Sequence, residues 1–466
     1  MHRSLPFPQP APGPVPVPLE TEGTAPPLHH RSSAAFQSFL QRSLHAMPVD
    51  RLIGQFVDSP AGTWRGTQLG ALRAALAWRA LPAFLASEGW EALGSMSWQF
   101  RKETVEIPTL AALRLGESEW LELPNNLFVF LEQGACGEDR PPGSAAKRAV
   151  LHLVAFLECS PPHAEIRIYG DADGVPFLER WFAATRRENA LRGRSLRADG
   201  RLLESEGPAP DWERLFLDPR VRERLDFALR RFAAARDPRL AAAGLRARGG
   251  LILAGPPGNG KTSVGRLLAA TAPCTFLWAT PSDLGDDDAV REVFALARWL
   301  APAILFLEDL DLVAEGRGRG FTSSALGQLM TELDGAPGDH PLFTIATTNR
   351  LAVVEEALRN RPGRFDQVLE LGPPDDGLRR RFLGARFRDR ALAEPDLAWL
   401  SRRLDGASGA EIEEVCNAAL FLAHEAAPSA PDVPEPVAVL RPHLEEALGL
   451  LRRKPDNATA GFGTGE

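Results

Sequence analysis

One short segment constrains this chain of 466 residues more than any other, the stretch Gly-Pro-Pro-Gly-Asn-Gly-Lys-Thr at positions 255–262. It follows the apolar run Leu251 to Ala254 and leads into a stretch with helical periodicity. The sequence therefore predicts a strand, a glycine-rich turn and a helix in that order. Such a turn directs backbone N–H groups inward beside the positive end of a helix dipole. We predict that this segment is a loop that binds phosphate groups.

The side chains of this loop have separate expected tasks. Lys261 is expected to reach the β and γ phosphates of a nucleotide, and the Thr262 hydroxyl is expected to contact Mg²⁺. The predicted binding residues are Pro257, Gly258, Asn259, Gly260, Lys261, Thr262 and Ser263.

A pair of acids follows a later apolar run. Ile304 to Leu307 is apolar and is followed directly by Glu308 and Asp309. Adjacent carboxylates at the end of a buried strand can hold a metal-bound water and polarise a second water for in-line attack. Apolar strands that end in acids are common, so the pair gains its meaning from the phosphate-binding loop that precedes it.

The chain divides into units by periodicity. From Asp218 onwards short apolar runs alternate with amphipathic stretches, which predicts a parallel sheet with helices on both faces. After Pro374 only helical periodicity remains. The predicted fold class is an α/β P-loop NTPase domain with a helical lid and a separate N-terminal α+β domain. The predicted units are a disordered proline-rich leader (1–34), the N-terminal domain (35–205), the large α/β domain (211–372), the lid (373–452) and a flexible tail (453–466).

The N-terminal domain contains no catalytic motif. Helical spacing predicts mainly helix from Ala35 to Leu93, and apolar runs predict strands between Ser97 and Asp171. A further helix is predicted from Phe177 to Thr185, and a hairpin at 198–200. We expect this domain to recognise a client or partner.

Five motifs in order resemble the AAA family of ATPases. Besides the loop and the Glu308-Asp309 pair, they are the helix at 326–335, the strand end at 347–350 and the segment from Ala357 to Asp366. The segment at 406–413 resembles the start of the family's lid helix. The similarity covers roughly Asp211 to Ala423, and it implies an ATPase that uses ATP and Mg²⁺.

The resemblance also implies roles for single residues. Asn349 would orient the attacking water or contact the γ phosphate, and Arg361 and Arg364 would act as arginine fingers on the nucleotide of a neighbouring subunit. A site completed by a neighbour makes self-association part of the mechanism, and the usual assembly of the family is a ring of six. The implied catalytic residues are Glu308, Asp309, Asn349, Arg361 and Arg364, with Thr262 and Glu308 at the metal.

Two features depart from most of the family. Most members have Asp-Glu where this chain has Glu308-Asp309; by position, Glu308 would serve Mg²⁺ and Asp309 would polarise water. The first pore loop, Pro281 to Asp288, is short and acidic and lacks the aromatic residue of members that thread polypeptides. Both features resemble the subgroup of the mitochondrial translocase of the Rieske protein, whose membrane anchor is not expected here.

Composition narrows the function classes further. Lys and Arg number 53 against 61 acidic residues, a net charge of −8, which argues against nucleic acid as a partner. Apolar runs fall short of the roughly 20 residues that span a bilayer, so we expect no membrane contact and a cytoplasmic location.

Together these features predict an ATP-hydrolysing, ring-forming ATPase that remodels or translocates protein clients. A slow nucleotide-gated assembly switch or scaffold is the alternative. A nucleic-acid motor is the less favoured third hypothesis.

Overall fold

The computed structural model describes most of the chain between positions 49 and 452. The described residues are 49–57, 64–99, 102–104, 110–116, 119–133, 147–156, 162–170, 174–203, 215–235, 237–243, 248–314, 323–334, 340–358, 365, 367–388, 394–426 and 437–452. The predicted leader and the predicted tail lie outside these residues.

The first part of the chain forms an antiparallel sheet of six strands and a separate two-stranded hairpin. The strands are β1 (Trp64–Gly70), β2 (Trp90–Gln99), β3 (Lys102–Thr104), β4 (Leu110–Arg114), β5 (Trp120–Pro124), β6 (Leu127–Gln133), β7 (Lys147–Phe156) and β8 (His163–Gly170). The order across the large sheet is β1-β8-β7-β6-β2-β3, and β4 pairs with β5.

Helices cover both faces of this sheet. On one face lie α2 (Ala71–Ser87) and α3 (Gly174–Arg187), where Trp181 is fully buried and its indole N–H donates to the Ala77 carbonyl at 2.9 Å. On the other face, α1 (Val49–Val57) packs against a cluster that includes Phe130. The predicted strands and the predicted helix from Phe177 are therefore confirmed.

The prediction of mainly helix between Ala35 and Leu93 is wrong at 64–70 and at 90–93. Residues 64–70 form β1, which pairs with β8 along its whole length, and residues 90–93 begin β2. Leu69 shares helical spacing with Leu72, yet it lies in the strand. The cross-strand pairing outweighs the local periodicity, as is common for strands.

The second sheet has six parallel strands. They are β9 (Ser195–Arg197), β10 (Arg248–Ala254), β11 (Thr275–Ala279), β12 (Ala303–Leu307), β13 (Leu342–Thr348) and β14 (Gln367–Glu370). The order is β14-β10-β13-β12-β11-β9. Every residue of β11 and β12 is buried, as expected for strands covered on both faces.

The register of these strands brings their carboxyl ends together. Ala254 at the end of β10 is opposite Thr348 at the end of β13, and Leu307 at the end of β12 is opposite Ala346. Residues that directly follow β10, β12 and β13 therefore meet at one edge of the sheet.

Seven helices of the described chain belong to this α/β domain. One side of the sheet packs against α4 and α6, and the other packs against α7, α8 and α9. The seven are α4 (Pro219–Ala234), α5 (Pro238–Ala242), α6 (Lys261–Thr271), α7 (Asp287–Trp299), α8 (Leu310–Ala314), α9 (Ser323–Asp334) and α10 (Leu351–Leu358).

The lid is a helical unit with a core of its own. At its base Arg379, 4% exposed, donates to the carbonyl oxygens of Pro374 at 2.7 Å and Ser401 at 3.0 Å. Its helices are α11 (Asp376–Arg386), α12 (Glu394–Arg403), α13 (Gly409–Ala426) and α14 (Arg441–Arg452). Within the part of the chain that the structure describes, none of the helices combines the length and apolar character that crossing a bilayer requires.

The two sheets are joined by a shared hydrophobic cluster. Trp299, at the end of α7, lies with its ring under the guanidinium groups of Arg73 and Arg186, at 5.6 and 5.9 Å, and its ring is 5.4 Å from that of Phe182. Arg73 also makes two hydrogen bonds, of 2.9 and 2.5 Å, with Glu292 of α7. The predicted domain limits stay predictions, but β9 precedes the predicted boundary and pairs with β11, which follows it.

Candidate active site

The predicted phosphate-binding loop connects β10 with α6. Lys261 begins the helix and is 6% exposed. Its Nζ donates to the carbonyl oxygens of Gly255 at 2.6 Å and Pro256 at 2.9 Å. Burial lowers the pKa of Lys261, while the charges of Asp309 and Asp311 act in the opposite direction. The ammonium group is thus held within the loop, where it would attract an anion.

The start of the lid helix contacts this loop. Ala410 N donates to the Gly258 carbonyl at 3.0 Å, and Gly409 N donates to Asn259 Oδ1 at 3.3 Å. Gly258 has a φ of 80°, and a Cβ on it would lie 2.9 Å from the Ala410 Cβ, so a larger residue does not fit. The Nδ2 of Asn259 is buried without a hydrogen-bond partner among the described residues. A bound acceptor in the loop would satisfy it.

Glu308 lies against the first turn of α6. The Thr262 hydroxyl donates to Glu308 Oε1 at 2.8 Å, and the Trp278 indole N–H donates to Glu308 Oε2 at 3.1 Å. A hydroxyl beside a carboxylate is the protein share of a typical Mg²⁺ site, in which phosphate oxygens and waters supply the other ligands. The predicted metal residues, Thr262 and Glu308, are therefore neighbours.

Asp309 lies beside Asn349, which follows β13. Asn349 Nδ2 donates to Asp309 Oδ1 at 3.2 Å, and Asp309 N donates to Thr347 Oγ1 at 2.9 Å. Asp309 has a φ of 45°, a left-handed conformation that Asp tolerates better than most residues. Burial raises the pKa of Asp309, and the charges of Glu308 and Asp311 raise it further. A carboxylate with a raised pKa is suited to accept a proton from water.

A third acid, Asp311, was not selected from the sequence. It is 2% exposed and accepts hydrogen bonds from Thr348 Oγ1 at 2.9 Å, Asn349 N at 3.1 Å and Arg350 Nε at 3.4 Å. It therefore fixes the end of β13, from which Asn349 extends. The sequence shows a charged residue between two apolar ones, Leu310 and Leu312, but the partner Thr348 lies 37 residues further along the chain, which local spacing does not indicate.

The remaining predicted site residues have different positions. Pro257 lies in the exposed turn of the loop, and Ser263 lies on the exposed side of the first turn of α6. Gly260 caps α6 at its N-terminus. Arg361 and Arg364 lie outside the described residues, so their role as arginine fingers stays a prediction.

The residues that follow β11 form a compact turn held by hydrogen bonds within the segment. The backbone N–H and the hydroxyl of Thr280 bond to Asp283 at 2.8 and 2.7 Å, which caps a 3₁₀ turn over Pro281–Leu284. Leu284 is fully buried, and Asp286 then caps α7 by accepting from Ala289 N at 2.8 Å. The segment predicted to be the first pore loop is therefore a short turn that is capped by its own side chains.

Fold and site together define a class of protein. A parallel sheet whose glycine-rich loop opens a helix, with carboxylates at the ends of neighbouring strands, is a P-loop nucleoside triphosphatase domain. Comparison with known families makes the class specific, because residues 251–373 match the family described as "ATPase family associated with various cellular activities (AAA)". The α/β domain of this chain is therefore similar to the ATPase domain of the AAA family.

Curated relatives agree with this family. The chain is 38% identical over 191 residues to the ATP-dependent zinc metalloprotease FtsH of Ureaplasma parvum serovar 3. The matched region covers 39% of this chain and 26% of the relative. It is 39% identical over 202 residues to FtsH 3 of Sphaerobacter thermophilus, 40% of this chain and 41% of the relative. For FtsH of Thermus thermophilus the identity is 38% over 193 residues, 39% of this chain and 31% of the relative. The chain thus matches well under half the length of each of these relatives.

Proposed function

We propose that this protein binds ATP with Mg²⁺ at the loop of residues 255–262 and hydrolyses it. The observation that carries the proposal is that strand register gathers five side chains at one edge of the sheet. The five are Lys261, Thr262, Glu308, Asp309 and Asn349. These are the groups that phosphoryl transfer to water requires.

The two acids have separate roles in this proposal. Glu308 and Thr262 hold Mg²⁺, which would neutralise charge on the transferred phosphoryl group. Asp309 accepts a proton from the attacking water, and Asn349 orients that water. The hydrogen bonds of Glu308 to Thr262 and of Asp309 to Asn349 support this division.

We further propose that the protein acts as a ring, with six subunits expected, in which Arg361 and Arg364 complete the site of the neighbouring subunit. Its clients are proteins, which it remodels or translocates in the cytoplasm and which the N-terminal domain selects. The similarity to relatives named as ATP-dependent metalloproteases supports ATP-dependent work on proteins. The contacts of Arg73 with Glu292 and Trp299 of α7 support coupling between the ATPase domain and the N-terminal domain.

The nucleotide site is tested with Lys261→Ala. Calorimetry of the full chain should detect Mg·ATP binding in the wild type and none in this variant, because the loop loses its cation for the phosphates. Lys147→Ala removes an exposed lysine of β7 and is the matched control. Unchanged ATP turnover in Lys261→Ala would contradict the proposal.

The division of the acids is tested with Asp309→Asn and Glu308→Gln. Asp309→Asn should bind ATP and lose at least about a hundred-fold in kcat, the usual contribution of a general base. Glu308→Gln should instead raise the Mg²⁺ concentration needed for nucleotide binding. If Glu308→Gln binds normally without turnover while Asp309→Asn remains active, the roles are reversed.

A further inference from the structure

The Glu308 carboxylate is held at both of its oxygens. One accepts from the Thr262 hydroxyl at 2.8 Å, and the other accepts from the Trp278 indole N–H at 3.1 Å. Trp278 is 8% exposed. A hydrogen bond from N–H to a carboxylate is charge-assisted, and it is stronger than one between neutral groups.

The indole reaches Glu308 because residue 265 of α6 is glycine. A Cβ at this position would lie 2.9 Å from Cζ3 of Trp278 and 2.6 Å from Cζ of Phe306. The Phe306 ring packs on the indole with the two ring centroids 4.6 Å apart. The indole is therefore fixed by packing on two sides, and its polar atom bonds to the Glu308 carboxylate.

We propose that Trp278 is a positioning residue that makes glutamate, rather than aspartate, the fitting carboxylate at position 308. Glutamate has one more methylene than aspartate, and thus one more rotatable bond to restrict. The indole N–H restricts it by holding Oε2, which leaves Oε1 at the Thr262 hydroxyl. This inference rests on the proposed function, which assigns Thr262 and Glu308 to Mg²⁺.

The proposed role of Trp278 concerns the first of the two acids, Glu308. A residue that only positions a metal ligand commonly changes metal affinity about 10–100-fold when it is removed. If Trp278 positions the carboxylate at 308, then shortening that side chain and removing the indole N–H should raise the Mg²⁺ concentration needed for nucleotide binding by similar factors. The two effects should not add in the double variant.

The experiment measures how ADP binding to the full chain depends on Mg²⁺ concentration. Trp278→Phe keeps an aromatic ring and loses the N–H, so half-saturation should require about ten-fold more Mg²⁺. Binding of ADP in the presence of EDTA should be unchanged. Trp299→Phe makes the same chemical change at a buried site that lies against the N-terminal domain, and it should need no more Mg²⁺ than the wild type.

Glu308→Asp is a second test of the positioning role, and it remains available if Trp278→Phe does not fold. In the wild-type background it should also need about ten-fold more Mg²⁺, because the shorter side chain cannot bond the indole and Thr262 together. In the Trp278→Phe background, the proteins with Glu and with Asp at position 308 should reach half-saturation with ADP at the same Mg²⁺ concentration.

Two results would overturn the inference. If folded Trp278→Phe and Glu308→Asp need no more Mg²⁺ than the wild type, the positioning role is wrong and the proposed function stands. If the wild-type chain binds no nucleotide with Mg²⁺, the proposed function fails and the inference fails with it.

Discussion

Three carboxylates close together in the sequence have three different surroundings. Glu308 accepts from a hydroxyl and an indole, Asp309 accepts from an amide, and Asp311 is buried among donors from the end of β13. Burial raises the pKa of Asp309, and the like charges of Glu308 and Asp311 raise it further. Such a cluster opposes folding, and perturbed groups of this kind are typical of functional sites.

Asp311→Asn should lower ATP turnover more than it lowers nucleotide affinity. The amide has the size of the carboxylate but only one acceptor oxygen and no charge. It loses either the hydrogen bond from Arg350 Nε at Oδ2 or those from Thr348 Oγ1 and Asn349 N at Oδ1, and the remaining bonds are no longer charge-assisted, at a total cost of about 1–3 kcal/mol. Because Asn349 is held by this contact, we expect kcat to fall about ten-fold or more.

Steady-state ATPase assays give the change in turnover, and calorimetry with Mg·ADP gives the change in Kd, which we expect to be small. Asp288→Asn is a matched control on α7, since that side chain is 72% exposed. A kcat equal to that of the wild type in a folded Asp311→Asn protein would show that this contact does not position Asn349.

The sequence predicted the site residues whose roles follow from neighbours along the chain. Lys261 and Thr262 belong to one turn and helix start, and Glu308 and Asp309 end one strand. The role of Trp278 depends on the pairing of β11 with β12, and that of Asp311 depends on the position of β13. Local spacing carries no information on either pairing, so those two contacts could not be predicted.

At the scale of elements, α7 connects the ATPase sheet with the N-terminal domain. It begins after the short turn that follows β11, and it ends at Trp299 between two guanidinium groups. Its middle carries Glu292, which bonds to Arg73 of α2. One helix therefore contacts both β12, the strand that leads to Glu308, and the domain expected to recognise clients.

Arg73→Met should destabilise the protein more than Arg291→Met does. The Arg73–Glu292 side chains are 14% and 25% exposed, whereas those of the Arg291–Asp288 pair on the same helix are 52% and 72% exposed. Losing Arg73 leaves a half-buried carboxylate unpaired, which we expect to cost about 2 kcal/mol, below the range for fully buried pairs. Losing Arg291 should cost less than about 1 kcal/mol. Thermal and urea unfolding of the full chain compare the two, and equal shifts would contradict the prediction.

The sequence predicted some strands better than others. Buried strands such as β12 are continuous apolar runs between helical stretches, and their prediction was confirmed. β1 contains two glycines and three polar or charged residues, and β9 has only three residues, so neither has a clear period. Both form because a longer strand, β8 or β11, supplies the pairing partner.

At the scale of the whole molecule, the N-terminal and ATPase parts share a core and a sheet. Leu196 of β9 is fully buried, Phe276 N donates to the Arg194 carbonyl at 3.0 Å, and Ala198 N donates to the Trp278 carbonyl at 2.7 Å. A boundary at 206–210, between the predicted N-terminal domain and the predicted α/β domain, would separate β9 from the sheet that it completes.

A fragment of residues 211–466 should therefore be less stable than a fragment of residues 190–466. The shorter fragment loses the burial of Leu196, worth at least about 2 kcal/mol, and exposes the edge of β11. Both fragments lack the rest of the N-terminal domain, so the comparison isolates residues 190–210, which include β9. Melting temperatures and soluble yields measure the difference, and identical values for the two fragments would show that β9 adds nothing.

The contact between lid and loop has a thermodynamic consequence. The Ala410 N–H and the Gly258 carbonyl join the two units through main-chain atoms, and only proline at position 410 would remove the donor. Linkage is reciprocal: if a nucleotide favours one lid angle, any partner that imposes that angle tightens the nucleotide by the same factor. The work done in moving the lid and the change in nucleotide Kd at the loop then report the same coupling free energy.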